Sequence, residues 1–467
     1  MAKIIMIQTQ FAPYAGIAYL NGAVLSKGHQ FRLFLGNNIN KISSMIAKEN
    51  PDIIGFSCMT CFYDEILSIS NEVKRNFKVP IIFGGPHPTI CPEIINEKSI
   101  DIICRGEGEF ALIELLDCIE NKRSYLKIRN LWIKSNDKVY KNELRPLAEP
   151  LDNIPLINWS CYKRTPVQNS PPMVFLIRGC PYSCSYCFNK VTRDLYKGLG
   201  TYVRYFSIER SIQEIKEALR IFSHSPVVFN SDLFGMDLRW TDKLLSRYSQ
   251  ITDLPFLLFL RPELVTEKCV KILSKHKCHS VAIGVESGSE RIRKRILNRN
   301  YSNKELMNVA ERLHNNKIKF TTFNMIGIPT ETEKEMWETI DINIKMRTDF
   351  PRGAVFTPMP GTKIVEIAKE KKYLDCGFSF SDIPHTILSN TILKKMNRDK
   401  IRNTLYFFQS AIIFPKHKRI IKRLIHNKPN IFFRLWFYLI YAHLHRKSQN
   451  WKLIPFIKYI YSNRRYL

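Results

Sequence analysis

The stretch RGCPYSCSYCFN, residues 178–189, sets Cys180, Cys184 and Cys187 within eight positions. It follows the apolar run MVFLI (173–177), which reads as a buried strand, so the cysteines ride on a strand-end loop. In the CxxxCxxC spacing, three thiolates can converge on one cuboidal iron–sulfur cluster and leave its fourth iron without a protein ligand. An open metal position is a reaction site. The three cysteines are therefore expected as metal ligands and as the catalytic centre. Half of a zinc site, or three unrelated thiols, are the plainer readings; zinc wants a fourth ligand, and no close His or Cys completes a knuckle.

Working outward, the same pattern of apolar run and polar strand end recurs in VVFNSD, FLLFLR, SVAIGVES, FTTFNMIG and AVFTPMPG. Helical segments near 208–222, 241–249, 266–276, 303–316 and 333–347 lie between them. Six βα units predict a partial (β/α)6 barrel over 173–375, with its chemistry at the C-terminal strand ends. Upstream, KIIMIQ, FRLFLG, DIIGFSC, PIIFGG and DIICRG predict a doubly wound parallel sheet of Rossmann or flavodoxin type over 1–140. Its ligands are expected at Ser57, at Gly84 and Gly85 of GGPHPT, and at CRGEGE (104–109), where glycine lets a large ligand approach the backbone. The proline-rich stretch 141–172 predicts a linker. Beyond 376 the strand pattern stops, and RNTLYFFQSAIIF, HKRIIKRLIH and IFFRLWFYLIYAHLHRK predict a basic helical region.

The chain has 467 residues, 12 cysteines and a formal net charge of +29. Cysteine is too sparse for a disulfide scaffold, and the opening MAKIIMIQTQF reads as a strand rather than a signal peptide, so a reducing cytoplasm is expected. From His385 to Leu467 there are 18 Lys and Arg against Asp399 alone, which places more than half of the net charge there. Such a surface favours phosphates of lipid or nucleic acid. The longest apolar stretch, Ile431 to Leu444, contains Arg434 and falls short of the roughly 20 residues of a membrane span. It suits a bilayer interface instead, and 400–467 is expected to contact the inner surface of an anionic membrane. A solvated basic cap packed on the barrel is the plainer reading.

At the cysteine loop and down the following strands the chain resembles the radical S-adenosylmethionine (SAM) superfamily. The resemblance implies a 4Fe-4S cluster on Cys180, Cys184 and Cys187 whose open iron binds SAM, reductive cleavage to a 5′-deoxyadenosyl radical, and an external low-potential electron donor. Tyr186 occupies the aromatic position before the third cysteine, which the resemblance places near the adenine of SAM. FNSDLF (229–234) looks like the family's FxDDxF strand end, with Ser231 replacing the first acid and Asp232 retained, so that the resemblance implies a SAM contact at Asp232. Arg261, then Glu286, Ser287 and Gly288 of GVESGS, and Gly327 and Pro329 of NMIGIPTET stand where the family's strand ends meet SAM. Strand-end turn chemistry, and for Arg261 a salt bridge, are the alternatives.

The N-terminal sheet looks like the cobalamin-binding domain fused to one large class of these enzymes. Ser57, Gly84, Gly85, His87, Gly106 and Glu107 are the implied cobalamin contacts. The DxHxxG motif is absent, since QFAPYAGIAYL (10–20) has no Asp or His at its start; a histidine lower ligand from that motif is not expected. His87 is the nearby candidate to approach cobalt, or else a turn histidine bonded to backbone. Cys58 and Cys61 form a CxxC, readable as a redox pair or as two buried thiols. A rival uses Cys58, Cys91 and Cys104 for a second cluster, as in the methylthiotransferases that modify tRNA, but their RNA-binding end is β-rich and this one reads helical.

The leading expectation is a cobalamin-dependent radical SAM methyltransferase acting on an unactivated carbon of a small-molecule or lipid-like substrate. Cyclising or ring-rearranging chemistry on the same architecture remains open. So does a membrane- or nucleic-acid-binding factor with a structural or sensing cluster, with nucleic acid ranked below lipid.

Overall fold

The computed structural model describes residues 1–222, 226–375, 377–379, 382–386, 388, 390–448 and 456–457. The five apolar runs of the N-terminal part form β1 (Lys3–Gln8), β2 (Gln30–Leu35), β3 (Ile53–Ser57), β4 (Ile81–Gly84) and β5 (Ile102–Cys104). All five pair in parallel. Continuous Ile and Phe runs suit strands covered on both faces. Helices α1 (Ala15–Ser26), α2 (Ile39–Glu49), α3 (Tyr63–Asn76), α4 (Pro86–Ile90) and α5 (Glu109–Glu120) alternate with them. The hairpin β6 (Leu131–Ser135) and β7 (Lys138–Lys141) adds two antiparallel strands, giving the order β2-β1-β3-β4-β5-β6-β7. The order reverses at β1, so the strand ends beside that switch point form the ligand crevice of such a sheet.

The stretch expected as a linker is packed into this unit. Trp159 and Tyr162 are fully buried, and the Tyr162 hydroxyl donates to Gln8 Oε1 at 2.6 Å while accepting from the Tyr14 amide at 3.0 Å. Its prolines break regular structure into short 3-10 turns, at Leu151–Asn153, Trp159–Tyr162 and Pro166–Asn169, without preventing aromatic side chains from joining the core. Residues 191–222 group with this unit as well, carrying the end of α6 (Phe188–Leu195) and α7 (Ile208–Ile221). The sequence order had placed α7 in the barrel. Instead its Glu214 is buried between Arg210, at 2.8 Å, and the Tyr19 hydroxyl of α1, at 3.2 Å.

The second unit holds β8 (Met173–Val174), β9 (Val227–Phe229), β10 (Phe256–Leu260), β11 (Ser280–Glu286), β12 (Lys319–Ile326) and β13 (Phe350–Val355). They form one parallel sheet in strict sequence order, with β8 and β13 at its two edges. This is the (β/α)6 arrangement, left open between the edges. Helices α8 (Leu238–Ile251), α9 (Glu267–Lys275), α10 (Asn303–Asn315) and α11 (Glu333–Lys345) connect the later strands, and α12 (Lys363–Glu370) follows β13. The last strand starts before the AVFTPMPG run that marked it and ends at Val355, because Pro358 and Pro360 cannot donate to a ladder.

The basic C-terminal region is helical as expected: α13 (Arg398–Ile413), α14 (Lys418–Leu424) and α15 (Ile431–Ser448). Its remainder, 449–455 and 458–467, lies outside the described residues. Far from being only a solvated cap, α13 is core, with Ile401, Leu405 and Phe408 packed against Ile326, Trp337 and Val355. Gly353 permits the approach, since a Cβ there would stand 2.9 Å from the Phe408 ring. Helix α15 packs on α13, and Arg352 of β13 donates to His445 Nδ1 at 2.6 Å and Ser448 Oγ at 2.9 Å on it. Among the described residues no helix is long and apolar enough to cross a membrane.

Candidate functional site

In the second unit the cysteine loop leaves β8 through Gly179, whose φ of +87° is a left-handed conformation that favours glycine. Asp232, past the end of β9, holds both sides of the loop: its carboxylate accepts from the Gly179 amide at 2.7 Å and from Asn189 Nδ2 at 3.0 Å. Ser231 accepts from the amides of Leu176 and Ile177 at 3.0 and 3.3 Å. The serine that departs from the family pattern thus anchors the loop's entry, and Asp232 positions the loop. The middle is tied to the segment after β11, with Ser185 donating from its amide to Leu297 O at 3.1 Å and Asn298 Nδ2 donating to Ser183 O at 2.7 Å.

Cys180, Cys184 and Cys187 lie on this loop outside any disulfide. Burial pushes Cys187 up to about 11, and the neighbouring Cys184 and Cys180 add to the rise; burial likewise raises Cys180, with Cys184 adding to it. Arg261, at the end of β10, donates to Cys184 Sγ at 3.0 Å and to Glu263 at 2.5 Å, and lies 3.7 Å over the Tyr182 ring. Three mutually repelling sulfurs with a guanidinium alongside form a donor set suited to a cationic iron cluster.

A second group sits on the β11 end. Glu286 has a φ of +63°, rare for a non-glycine, at a bulge in the β11–β12 pairing. Such strain persists where surroundings over-determine it and clusters at functional sites. Buried Arg299 Nη1 donates to Glu286 Oε1 at 2.6 Å and to the Tyr186 hydroxyl at 2.8 Å, linking two expected SAM residues into one array. Burial also keeps the Tyr186 phenol well above its ordinary range. Sequence reasoning missed Arg299: it closes the basic run RIRKRILNR (291–299), in which nothing marks the residue that turns inward. Ser287 is fully buried and stands 3.4 Å from Thr339 Oγ1 of α11; a Cβ on Gly288 would run into the Glu338 carbonyl. Those two make the helix contact rather than line the array. Gly327 has its amide taken by Glu331 Oε2 at 2.7 Å, and burial pushes the Glu331 carboxyl up to about 8.

One face of this sheet carries an apolar patch. Thr322 and Asn324 of β12 bond to Asn343 of α11, so alternation turns Phe323 and Met325 to the opposite face. There Phe259 of β10 stacks on Phe323 at 5.9 Å, and all three side chains stay partly accessible.

In the first unit, Ser57, Gly84, Gly85 and His87 converge at the ends of β3 and β4. The Cys58 amide donates to Gly84 O at 2.7 Å and the His87 amide to Cys58 O at 3.1 Å. Gly85 has a φ of +100°, and a Cβ there would stand 3.0 Å from Cys58 O. Thr89 carries the group to β5, donating to Gly85 O at 2.7 Å and accepting from the Gly106 amide at 3.0 Å. His87 is 3% exposed; its ring lies 4.4 Å from that of Tyr63, Nδ1 meets Thr60 Oγ1 at 3.2 Å, and Nε2 is buried with no partner. Its ring therefore bonds a side chain, not backbone as the turn reading supposed. Glu107 belongs elsewhere: Arg204 pairs with it at 2.5 Å, and the Tyr196 hydroxyl accepts from its amide at 2.9 Å. The same hydroxyl fills the space a Gly106 side chain would need. The close-set glycine turn and the orphaned imidazole nitrogen fit a large bound group at the β3 and β4 ends.

Cys58, Cys91 and Cys104, the ligands that the rival reading would use for a second cluster, are all buried. Burial raises Cys58 beyond the ordinary thiol range and pushes Cys91 and Cys104 to about 12.

Residues 174–342 match the radical SAM superfamily and residues 9–116 the B12 binding domain. The chain is a radical SAM protein with a cobalamin-binding domain. A 4Fe-4S cluster, SAM and cobalamin are the cofactors of these two domains. This radical SAM protein is 27% identical over 369 residues to an uncharacterized methyltransferase, PH0819, of Pyrococcus horikoshii, covering 76% of this chain and 78% of the relative. It is 24% identical over 387 residues to the anaerobic magnesium-protoporphyrin IX monomethyl ester cyclase of Rubrivivax gelatinosus, covering 77% and 67%. Its fold is similar to that of the radical SAM methyltransferase TsrM of Kitasatospora setae, solved with cobalamin and a 4Fe-4S cluster, with a TM-score of 0.67 at 16% identity over 79% of this chain and 78% of that one.

His87 makes the first unit acid-sensitive. Burial lowers its pKa to about 4, so the unfolded chain binds a proton between the ordinary histidine value and about 4 that the folded chain refuses. Stability from this residue is present above about pH 6.5 and is lost as pH falls toward 4. Going from about pH 7 to about pH 5 is expected to cost the wild type roughly 2 kcal/mol more than His87→Gln, measured by urea unfolding at each pH. Equal losses would mean that the fold leaves the His87 pKa unshifted.

Proposed function

We propose that this protein is a cobalamin-dependent radical SAM C-methyltransferase acting on an apolar, small-molecule or lipid-like substrate. The observation that carries the reading is the pair of prepared strand-end sites in one chain: the cysteine loop with Arg261, Glu286, Arg299 and Tyr186, and the glycine turn with His87. Bound there, the cofactors supply a 5′-deoxyadenosyl radical for hydrogen abstraction and a transferable methyl group.

The chain's own residues do the rest. Cys180, Cys184 and Cys187 would hold the cluster, with Asp232 and Ser231 keeping the loop in place. Arg299 would hold Glu286 oriented beside Tyr186, ready for the polar groups of SAM. Ser57, Gly84, Gly85 and His87 would hold cobalamin without a histidine from the β1 turn, where Gln8 and Tyr162 are bonded to each other. The partly accessible row of Phe259, Phe323 and Met325 excludes water and favours an apolar substrate. We place the enzyme in the cytoplasm, peripheral to the inner surface of an anionic membrane and supplied by an external low-potential electron donor.

Protein purified without oxygen, reconstituted with iron and given reductant, SAM and cobalamin is expected to form 5′-deoxyadenosine. Absence of that product with an intact cluster would sink the enzyme reading. The cyclase of Rubrivivax gelatinosus gives a second reading, ring formation without methyl transfer. Mass analysis of the converted substrate decides between them: methylation adds a CH2, whereas cyclisation adds no carbon.

A further inference from the structure

We propose that one face of α15 seats the enzyme in the headgroup layer of an anionic bilayer. The inference rests on the peripheral membrane placement proposed above and assigns the face responsible. Helix α15 is apolar on two sides, and among the described residues only one is covered. Phe433, Phe437, Tyr441 and Leu444 turn toward α13, with Phe433 and Phe407 4.9 Å apart edge to face and Phe437 5.5 Å from Tyr406. On the other side, Phe432 is 75%, Leu435 52% and Leu439 67% exposed. Positions 432, 435 and 439 form one stripe at helical spacing. Trp436, at its border, donates from Nε1 to Ser410 Oγ at 2.7 Å while staying partly exposed. Scattered exposed apolar residues need no explanation, but a contiguous stripe on one helix marks an interaction surface.

Charge selects the occupant. Between residues 416 and 434 stand exposed Lys416, Arg419, Arg423, Lys428 and Arg434, none with an acidic partner among the described residues. No Asp or Glu occurs after Asp399. A second copy meeting this face about a two-fold axis would oppose these cations to themselves. Among the described residues no helix is long and apolar enough to span a membrane. An apolar stripe accompanied by these cations fits an interface of acyl chains and anionic headgroups, where lysine and arginine reach the phosphates while Phe and Leu insert.

The test is flotation of the full-length protein with vesicles of phosphatidylcholine alone or mixed with phosphatidylglycerol. Wild type is expected to float with the mixed vesicles and to be released by high salt. The triple variant Phe432→Ser, Leu435→Ser, Leu439→Ser should lose at least about tenfold in vesicle affinity while keeping its melting temperature and 5′-deoxyadenosine formation. The variant Arg419→Gln, Arg423→Gln, Lys428→Gln should lose the preference for phosphatidylglycerol. If the serine variant floats like wild type, this face is not the one used, although the membrane placement stands. If wild type itself fails to float, that placement and this inference both fall. A wild-type dimer in sedimentation that the serine variant turns into a monomer, with no flotation, would make the stripe a contact between copies and overturn the proposal.

Discussion

Cys184→Ala is expected to leave a folded protein with no cluster absorbance and no detectable 5′-deoxyadenosine formation. Cys184 is the most buried of the three loop cysteines and alone receives the Arg261 guanidinium, at 3.0 Å. Two thiolates cannot replace three when the fourth position must stay open for SAM. The loop's backbone anchors at Gly179, Ser183 and Ser185 do not involve the sulfur, so the fold should survive. Circular dichroism and melting temperature near wild type, with iron content and cleavage both lost, are the expected pair. Retained cleavage would remove this loop from the reaction.

Arg299→Met has the largest expected effect on stability. The substitution keeps the volume but leaves Glu286 as an uncompensated buried carboxylate and takes the donor from the Tyr186 hydroxyl. Breaking a buried pair by removing one partner costs about 3 to 5 kcal/mol. Denaturant unfolding should register that loss, and SAM binding, read by calorimetry on reconstituted protein, should weaken with it. Arg299→Lys restores the charge but not the planar fork, so it should recover part of the stability. Arg299→Met, Glu286→Gln removes the orphaned charge and should be more stable than Arg299→Met alone, still without SAM affinity. A double variant no better than the single would show that an orphaned Glu286 is not the source of the loss.

The strands were legible because parallel strands buried on two faces must be written as continuous apolar runs, and their ends because glycine and polar residues gather where a ligand approaches. The cysteine loop was legible for the chemical reason that three thiols at fixed spacing have few structural uses. What escaped notice depends on distant partners. Trp159 and Tyr162 lie among prolines, where periodicity cannot register them, yet both are buried. Ser231 looked like a defect in an acidic motif and serves as an amide acceptor. Arg293 and Arg299 are buried while Arg291, Lys294 and Arg295 of the same run are not, a division set by the π-helical turn at Ile292–Ile296. Glu107, a plausible cofactor contact by position, was already committed to Arg204, nearly a hundred residues away in sequence.

Helix α15 is not a tether. It is packed on α13, which is itself core to the second unit, and its last turn is bonded to Arg352 on the edge strand β13. A surface held by such a helix would meet the cysteine loop's domain at one fixed tilt and height, like a foot cast in one piece with the machine it supports. Encounter with a lipid-borne substrate would then become a search in two dimensions, with the approach angle already set when the chain folds.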